Sequence, residues 1–142
     1  MTEDWKEAKG SFGSYYGELN DRVGGKYPSN LLNYYSAKKK ALPVYYFRTE
    51  FEVDDAREIF QLSGEIQFDD SVIIYLNGKE IYKDNEPTEG YDPGTGYGAK
   101  EGVETSWNRV FSVENTTALK NGTNCIAVEV HPVSYTHLEP TR

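Results

Sequence analysis

Between residues 45 and 131 apolar and polar positions alternate with a period of two, interrupted at short intervals by turn formers. Tyr45, Phe47, Thr49, Phe51 and Val53 fall on one side, with Tyr46, Arg48, Glu50 and Glu52 on the other. This predicts a strand over Tyr45–Val53 with one buried face. Asp54-Asp55-Ala56-Arg57-Glu58 breaks it. A second alternation over 60–68 groups Phe60, Leu62, Gly64, Ile66 and Phe68, and Asp69-Asp70-Ser71 turns the chain again. Val72-Ile73-Ile74-Tyr75-Leu76 is apolar without a break, as in a strand covered on both faces. Asn77-Gly78 then predicts a type I′ hairpin, whose central residues both need positive φ, and 79–83 returns as the partner strand. Residues 108–113 and 124–131 read as further strands, with Val110 and Ser112 facing away from Phe111 and Val113. Between them, Asn115-Thr116-Thr117-Ala118-Leu119-Lys120 can cap and start one helical turn that Asn121-Gly122 closes.

No segment after Tyr45 holds a helical period. The N-terminal third is loop-like at 10–13, 24–25 and 28–30, with a short strand or helical turn over 30–36 and a solvated run at Lys38-Lys39-Lys40. Short strands separated by frequent turns predict an all-β, antiparallel β-sandwich. Residues 86–107, rich in Gly, Pro, Asp and Tyr, form the one long loop, a length that in a compact domain marks a functional or mobile segment.

Composition narrows the functional classes more than it names one. The chain has 142 residues, 15 Lys and Arg against 23 Asp and Glu, and a net charge of −8. A basic footprint for nucleic acid or anionic lipid is missing. Leu, Ile, Val and Phe make up only 30 residues, so twelve Tyr and two Trp must supply much of the buriable surface. No apolar stretch approaches the roughly 18 residues that span a bilayer. The opening Met1-Thr2-Glu3-Asp4-Trp5 is acidic and polar, unlike a signal peptide, which implies a cytoplasmic chain or an internal piece of a longer one. Cys125 has no partner for an internal disulfide and, in the run Cys125-Ile126-Ala127-Val128, reads as a small buried hydrophobe.

Catalytic chemistry is sparse. His131 is the one histidine outside the last ten residues, too few for a three-ligand zinc site. Gly94-Thr95-Gly96-Tyr97-Gly98 leads to no helix and so makes no phosphate loop, and no nucleophile elbow occurs. The chain is expected to be non-catalytic and to hold no cofactor. Asp54/Asp55 and Asp69/Asp70 could ligate calcium, but without EF-hand spacing they read as strand-ending Asx turns. Asn115-Thr116-Thr117 and Asn121-Gly122-Thr123 are glycosylation sequons that turn chemistry explains equally well. The best ligand candidates are Tyr91, Asp92, Tyr97 and Trp107 in the long loop, with Glu101 and Glu104 nearby. Sugar rings pack a C–H face on an aromatic ring while carboxylates bond the hydroxyls. The alternative is that these rings fold back and plug the end of the sandwich.

Three segments carry a family likeness: Phe47-Arg48-Thr49-Glu50-Phe51-Glu52-Val53-Asp54-Asp55; Phe68-Asp69-Asp70-Ser71-Val72-Ile73-Ile74-Tyr75-Leu76-Asn77-Gly78-Lys79-Glu80-Ile81; and Lys120-Asn121-Gly122-Thr123-Asn124-Cys125-Ile126-Ala127-Val128-Glu129-Val130-His131. Together they resemble the galactose-binding-like jelly-roll domain of large secreted bacterial proteins, most nearly the copy that accompanies calcineurin-like, purple-acid-phosphatase-type metallophosphoesterases. Trp5-Lys6 and Lys9-Gly10-Ser11-Phe12-Gly13 match that subgroup too. The family carries one more strand after the His131 position. Here residues 133–142 (Val-Ser-Tyr-Thr-His-Leu-Glu-Pro-Thr-Arg) resemble a translated sequencing adapter instead, so the domain is expected to span 1–132 with a non-native tail. The phosphoesterase motifs themselves are absent. The resemblance implies a non-catalytic accessory domain of an extracellular or cell-surface hydrolase that binds carbohydrate or braces the catalytic domain, with no nucleic acid or membrane insertion. A stand-alone carbohydrate-binding module and a purely structural spacer are the alternatives.

Overall fold

The computed structural model describes residues 5–13, 30–32, 44–68, 71–85, 109–114 and 118–131, and the chain divides into two units, residues 1–42 and 43–142. In the first unit, β1 (Phe12–Gly13) pairs in parallel with β2 (Asn30–Leu31). Asn30 makes this pairing: its backbone N–H donates to the Ser11 carbonyl at 3.0 Å, and its Nδ2 donates to the carbonyls of Lys9 and Ser11 at 2.6 and 3.1 Å. Residues 12–13, expected to be loop, are therefore strand, held by a contact too distant in sequence for local periodicity to reveal.

The second unit contains β3 (Tyr45–Val53), β4 (Gln61–Ile66), β5 (Ser71–Leu76), β6 (Lys79–Asp84), β7 (Arg109–Glu114) and β8 (Gly122–His131). Four strands form one sheet in the order β3-β8-β5-β6, and β4 pairs with β7 in a second. Every pairing in this unit is antiparallel, so the predicted all-β sandwich is what the chain builds. Alternation assigns the faces. Val53, Leu76 and Leu119 form one buried cluster, with Phe51, Leu62 and Ile126 packed against it. Phe68, Val72 and Ile74 form another, against Ile66, Phe111, Val128 and Val130. The second sheet thus covers one face of the first.

Within that cover a glycine has a defined purpose. Gly64 lies opposite Phe111 in the β4–β7 pair, and a Cβ there would sit 2.7 Å from Phe111 Cζ. The bare backbone lets the Phe111 ring lie across β4 and stack on Tyr82 of β6, with centroids 5.0 Å apart, joining the two sheets.

Most predicted boundaries stand, and in the second unit two assignments need correction. Phe60 is not on the inward face of a strand: β4 starts at Gln61, and Phe60 is 81% exposed. The cause is a short 3-10 turn, Ala56–Glu58, capped by Asp55, whose carboxylate accepts from the Arg57 backbone N–H at 3.0 Å and from its guanidinium at 2.9 Å. These bonds hold the Asp55 carboxyl below its ordinary range. Cys125 is half-buried rather than buried, because alternation puts Ile126 and Val128 inward and Cys125 on the opposite face. Residues 69–70, 86–108, 115–117 and 132–142 lie outside the described residues, and with them the Asp69/Asp70 pair, the Asn115 sequon and the adapter-like tail.

Polar groups lock one end of the sandwich. Asn77 and Gly78 have φ of 49° and 85°, as the hairpin requires. The Asn77 Nδ2 donates to the Ala118 carbonyl at 2.7 Å and to Asn124 Oδ1 at 2.8 Å, while its Oδ1 accepts from the Cys125 N–H at 2.9 Å. Fully buried Asn124 also accepts from the Lys120 N–H and donates to the carbonyls of Lys120 and Gly122. Asn121 Oδ1 accepts from the Ala56 N–H at 2.8 Å. Asn124→Ala should therefore lower unfolding free energy by about 3 kcal/mol, since several buried groups lose partners worth about 1 kcal/mol each. A urea titration checks this; an unchanged midpoint would mean that water replaces the amide at no cost.

Candidate functional site

β6 ends at Asp84 and β7 begins at Arg109, and residues 86–108 between them lie outside the described residues. The two strand ends meet. Arg109, the first residue of β7, places Nε 3.6 Å from Asp84 Oδ2, on the last residue of β6. Tyr82 donates its hydroxyl to the same oxygen at 3.1 Å. Pairing the ends in this way reduces the freedom that closing a long loop must otherwise remove. Asn85, with φ of 54°, then turns the chain out of the strand.

The Asp84 and Arg109 side chains are 30% and 44% exposed, so both reach solvent while the ring of Tyr82 packs inward on Phe111. A carboxylate that accepts and a guanidinium that donates, side by side, can bond adjacent hydroxyls of a polyol. Burial, and then the bond to Asp84 with its negative charge, raise the Tyr82 hydroxyl above its ordinary pKa, against a smaller opposing effect of Arg109.

Tyr91, Asp92, Tyr97 and Trp107, with Glu101 and Glu104, lie outside the described residues. The groups that the structure does bring together at the loop roots, Tyr82, Asp84 and Arg109, were missed by pattern reading. One signal was available: an acidic and a basic residue flank the loop on its two sides.

A second polar cluster lies on the other face of the main sheet, where β5 begins and β8 ends. Ser71 and His131 are cross-strand partners, and His131 Nε2 lies 2.9 Å from Glu129 Oε2. Serine, histidine and glutamate in one cluster have the composition of a nucleophile, a base and its orienting group. The geometry is otherwise. A working nucleophile needs a hydrogen bond to its base and access for substrate; Ser71 Oγ has no partner among the described residues, and Ser71 and His131 are fully buried, with Glu129 at 6% exposure. The cluster is built for packing. Among the described residues no three His, Cys, Asp or Glu side chains converge as a metal site, and no helix is long and apolar enough to cross a membrane.

No protein-family model matches the chain, and no curated protein matches it. Among solved structures it is similar to the β-D-mannosidase from Dictyoglomus thermophilum at 18% identity and a TM-score of 0.40, over 62% of this chain and 9% of that one. It is also similar to a β-glucuronidase from an uncultured Clostridium species at 21% identity and a TM-score of 0.40, over 63% of this chain and 12% of that one. An α-L-rhamnosidase from Aspergillus terreus matches at 20% identity and a TM-score of 0.35, over 68% and 10%. The chain thus spans a small part of the length of each protein it matches.

The raised phenols give a pH test. Burial is also the main cause of the raised Tyr75 hydroxyl, followed by the charges of Glu129 and Glu80. An acid whose pKa is higher folded than unfolded keeps its proton longer in the native state, so stability falls as pH rises past the unfolded value. That value is 10.0 for tyrosine. Urea midpoints should be flat through neutral pH and fall above about pH 10, and Tyr82→Phe should blunt the fall; an identical alkaline profile in that variant would contradict the assignment.

Proposed function

We propose that this chain is a non-catalytic accessory β-sandwich domain of a larger secreted bacterial hydrolase, and that it binds carbohydrate. The observation that supports binding is the Tyr82–Asp84–Arg109 group at the two roots of the loop that contains Tyr91, Asp92, Tyr97 and Trp107. Aromatic rings offer a face to the C–H groups of a sugar, and the paired carboxylate and guanidinium offer one acceptor and one set of donors to its hydroxyls. The same groups are poorly arranged for bond cleavage. Asp84 is already paired with Arg109 at 3.6 Å. The parent enzyme's class rests on the sequence resemblance alone, which suggests a metallophosphoesterase.

Affinity electrophoresis of the full chain through gels containing soluble neutral polysaccharides tests the proposal. Retardation is the expected result, and Trp107→Ala should weaken it roughly tenfold without moving the urea midpoint. Migration unaffected by every polysaccharide would leave the domain as a structural brace and end the binding proposal.

A further inference from the structure

The chain contains two Asn-Gly dipeptides, Asn77-Gly78 and Asn121-Gly122, and the fold holds their side chains in different ways. An Asn-Gly pair can react with itself, because glycine has no Cβ to keep its backbone nitrogen away from the asparagine side chain. Within a fold the reaction depends on how firmly the side-chain amide is held and on whether the glycine nitrogen can reach it. Solvent access does not separate the two sites, since Asn77 and Asn121 are both exposed.

At Asn77 the whole amide is engaged. Nδ2 donates to the Ala118 carbonyl at 2.7 Å and to Asn124 Oδ1 at 2.8 Å, and Oδ1 accepts from the Cys125 N–H at 2.9 Å. Turning the carbonyl carbon toward Gly78 would break all three bonds. At Asn121, Oδ1 accepts from the Ala56 N–H at 2.8 Å, and among the described residues Nδ2 has no acceptor. Each carbonyl thus takes one backbone N–H and is polarised alike; the nitrogen that must leave is held at Asn77 and loose at Asn121. Gly122 is the first residue of β8 and the last rung of its ladder with β3, opposite Val53. Strand ends open at little cost in free energy, which brings the Gly122 nitrogen within reach.

We propose that Asn121-Gly122 is a self-modification site, where the folded chain converts asparagine to aspartate and isoaspartate, and that Asn77-Gly78 is protected by its hydrogen bonds. The Gly122 nitrogen loses its proton to hydroxide and attacks Asn121 Cγ. A C–N bond forms, the Cγ–Nδ2 bond breaks, and Nδ2 takes a proton from water and leaves as ammonia. Water then opens the five-membered succinimide at one of its two carbonyls. Attack at Cγ yields aspartate, and attack at the main-chain carbonyl yields isoaspartate. The sum is one water consumed and one ammonia released, with no change of oxidation state.

The position makes the change consequential. Aspartate keeps an oxygen for the Ala56 N–H but adds a negative charge beside the turn that Asp55 caps. Isoaspartate routes the main chain through Cγ and inserts a methylene between Lys120 and Gly122, whose backbone groups Asn124 bonds. The modified chain is therefore expected to have a lower urea midpoint. None of this depends on the carbohydrate reading.

The test is incubation of the full chain in mildly alkaline heavy-oxygen water, folded and in urea, followed by peptide mapping with mass spectrometry and an isoaspartate methyltransferase assay. In the folded chain Asn121 should convert roughly tenfold faster than Asn77, the margin expected when the leaving group must break an additional hydrogen bond, and in urea the two rates should converge. Asn124→Ala, which removes one acceptor of Asn77 Nδ2, should speed conversion at Asn77. Conversion of Asn77 as fast as Asn121 in the folded wild type overturns the proposal. So does an inert Asn121 over a period in which the unfolded chain reacts, which would mean that the ladder withholds the Gly122 nitrogen. A product that is aspartate alone overturns the succinimide route. Should Asn124→Ala unfold, the ratio of the two wild-type rates still decides the outcome.

Discussion

The register of β8 is the constraint on which the rest of the second unit depends. This strand, like β5, has a partner along both edges, β3 on one side and β5 on the other, and it is the strand that ties β3 to the rest of the sheet. Its inward residues Ile126, Val128 and Val130 serve the core, while Glu129 and His131 lie on the opposite face. A slip of one residue would exchange the two sets, driving a carboxylate and an imidazole into the apolar layer and turning three aliphatic side chains outward. The Asn77–Asn124 junction opposes that slip. It bonds the hairpin turn, the 118–122 segment and the first residues of β8 through side-chain amides whose partners are fixed backbone groups. The buried amide of Asn124 is costly to leave unbonded, so a displaced register is penalised at its first residues as well as in the core.

From this follows a division between the two ends of the sandwich. At the end that holds residues 54–60, 77–78 and 118–121, the side chains of Asp55, Asn77, Asn121 and Asn124 bond backbone groups of their own chain. At the other end, where the long loop is rooted, Asp84 and Arg109 are paired yet half open to solvent, and their remaining lone pairs and N–H groups can meet a ligand. The same register also sets the outward face. Arg48, Ala127 and Tyr75 stand side by side on it, with Tyr46, Glu129 and Ile73 in the adjacent row.

Local periodicity captured the strands well, since Tyr45–Val53 is the predicted span to the residue and Asn77-Gly78 adopts the positive φ values its sequence implies. It failed where a single capping interaction outweighed alternation. Asp55 bends the chain into a 3-10 turn and leaves Phe60 outside the strand it was grouped with. It also failed at Phe12, where pairing depends on the amide of Asn30. For the candidate site the limit was of another kind. Asp84 and Arg109 are ordinary charged residues in sequence, and become a pair only when the hairpin and the second sheet bring the loop roots together.

The proposed role of this sandwich is carbohydrate binding through the groups at the end of β6 and the start of β7. Amide chemical-shift mapping of the labelled full chain against a neutral mannan- or glucan-derived oligosaccharide tests it most directly. Shifts that grow with ligand and concentrate at Tyr82, Asp84 and Arg109 are expected, while the amides of Asn77, Lys120 and Cys125 stay still. A spectrum that does not change at saturating sugar, or changes confined to the amide-locked end, would contradict it.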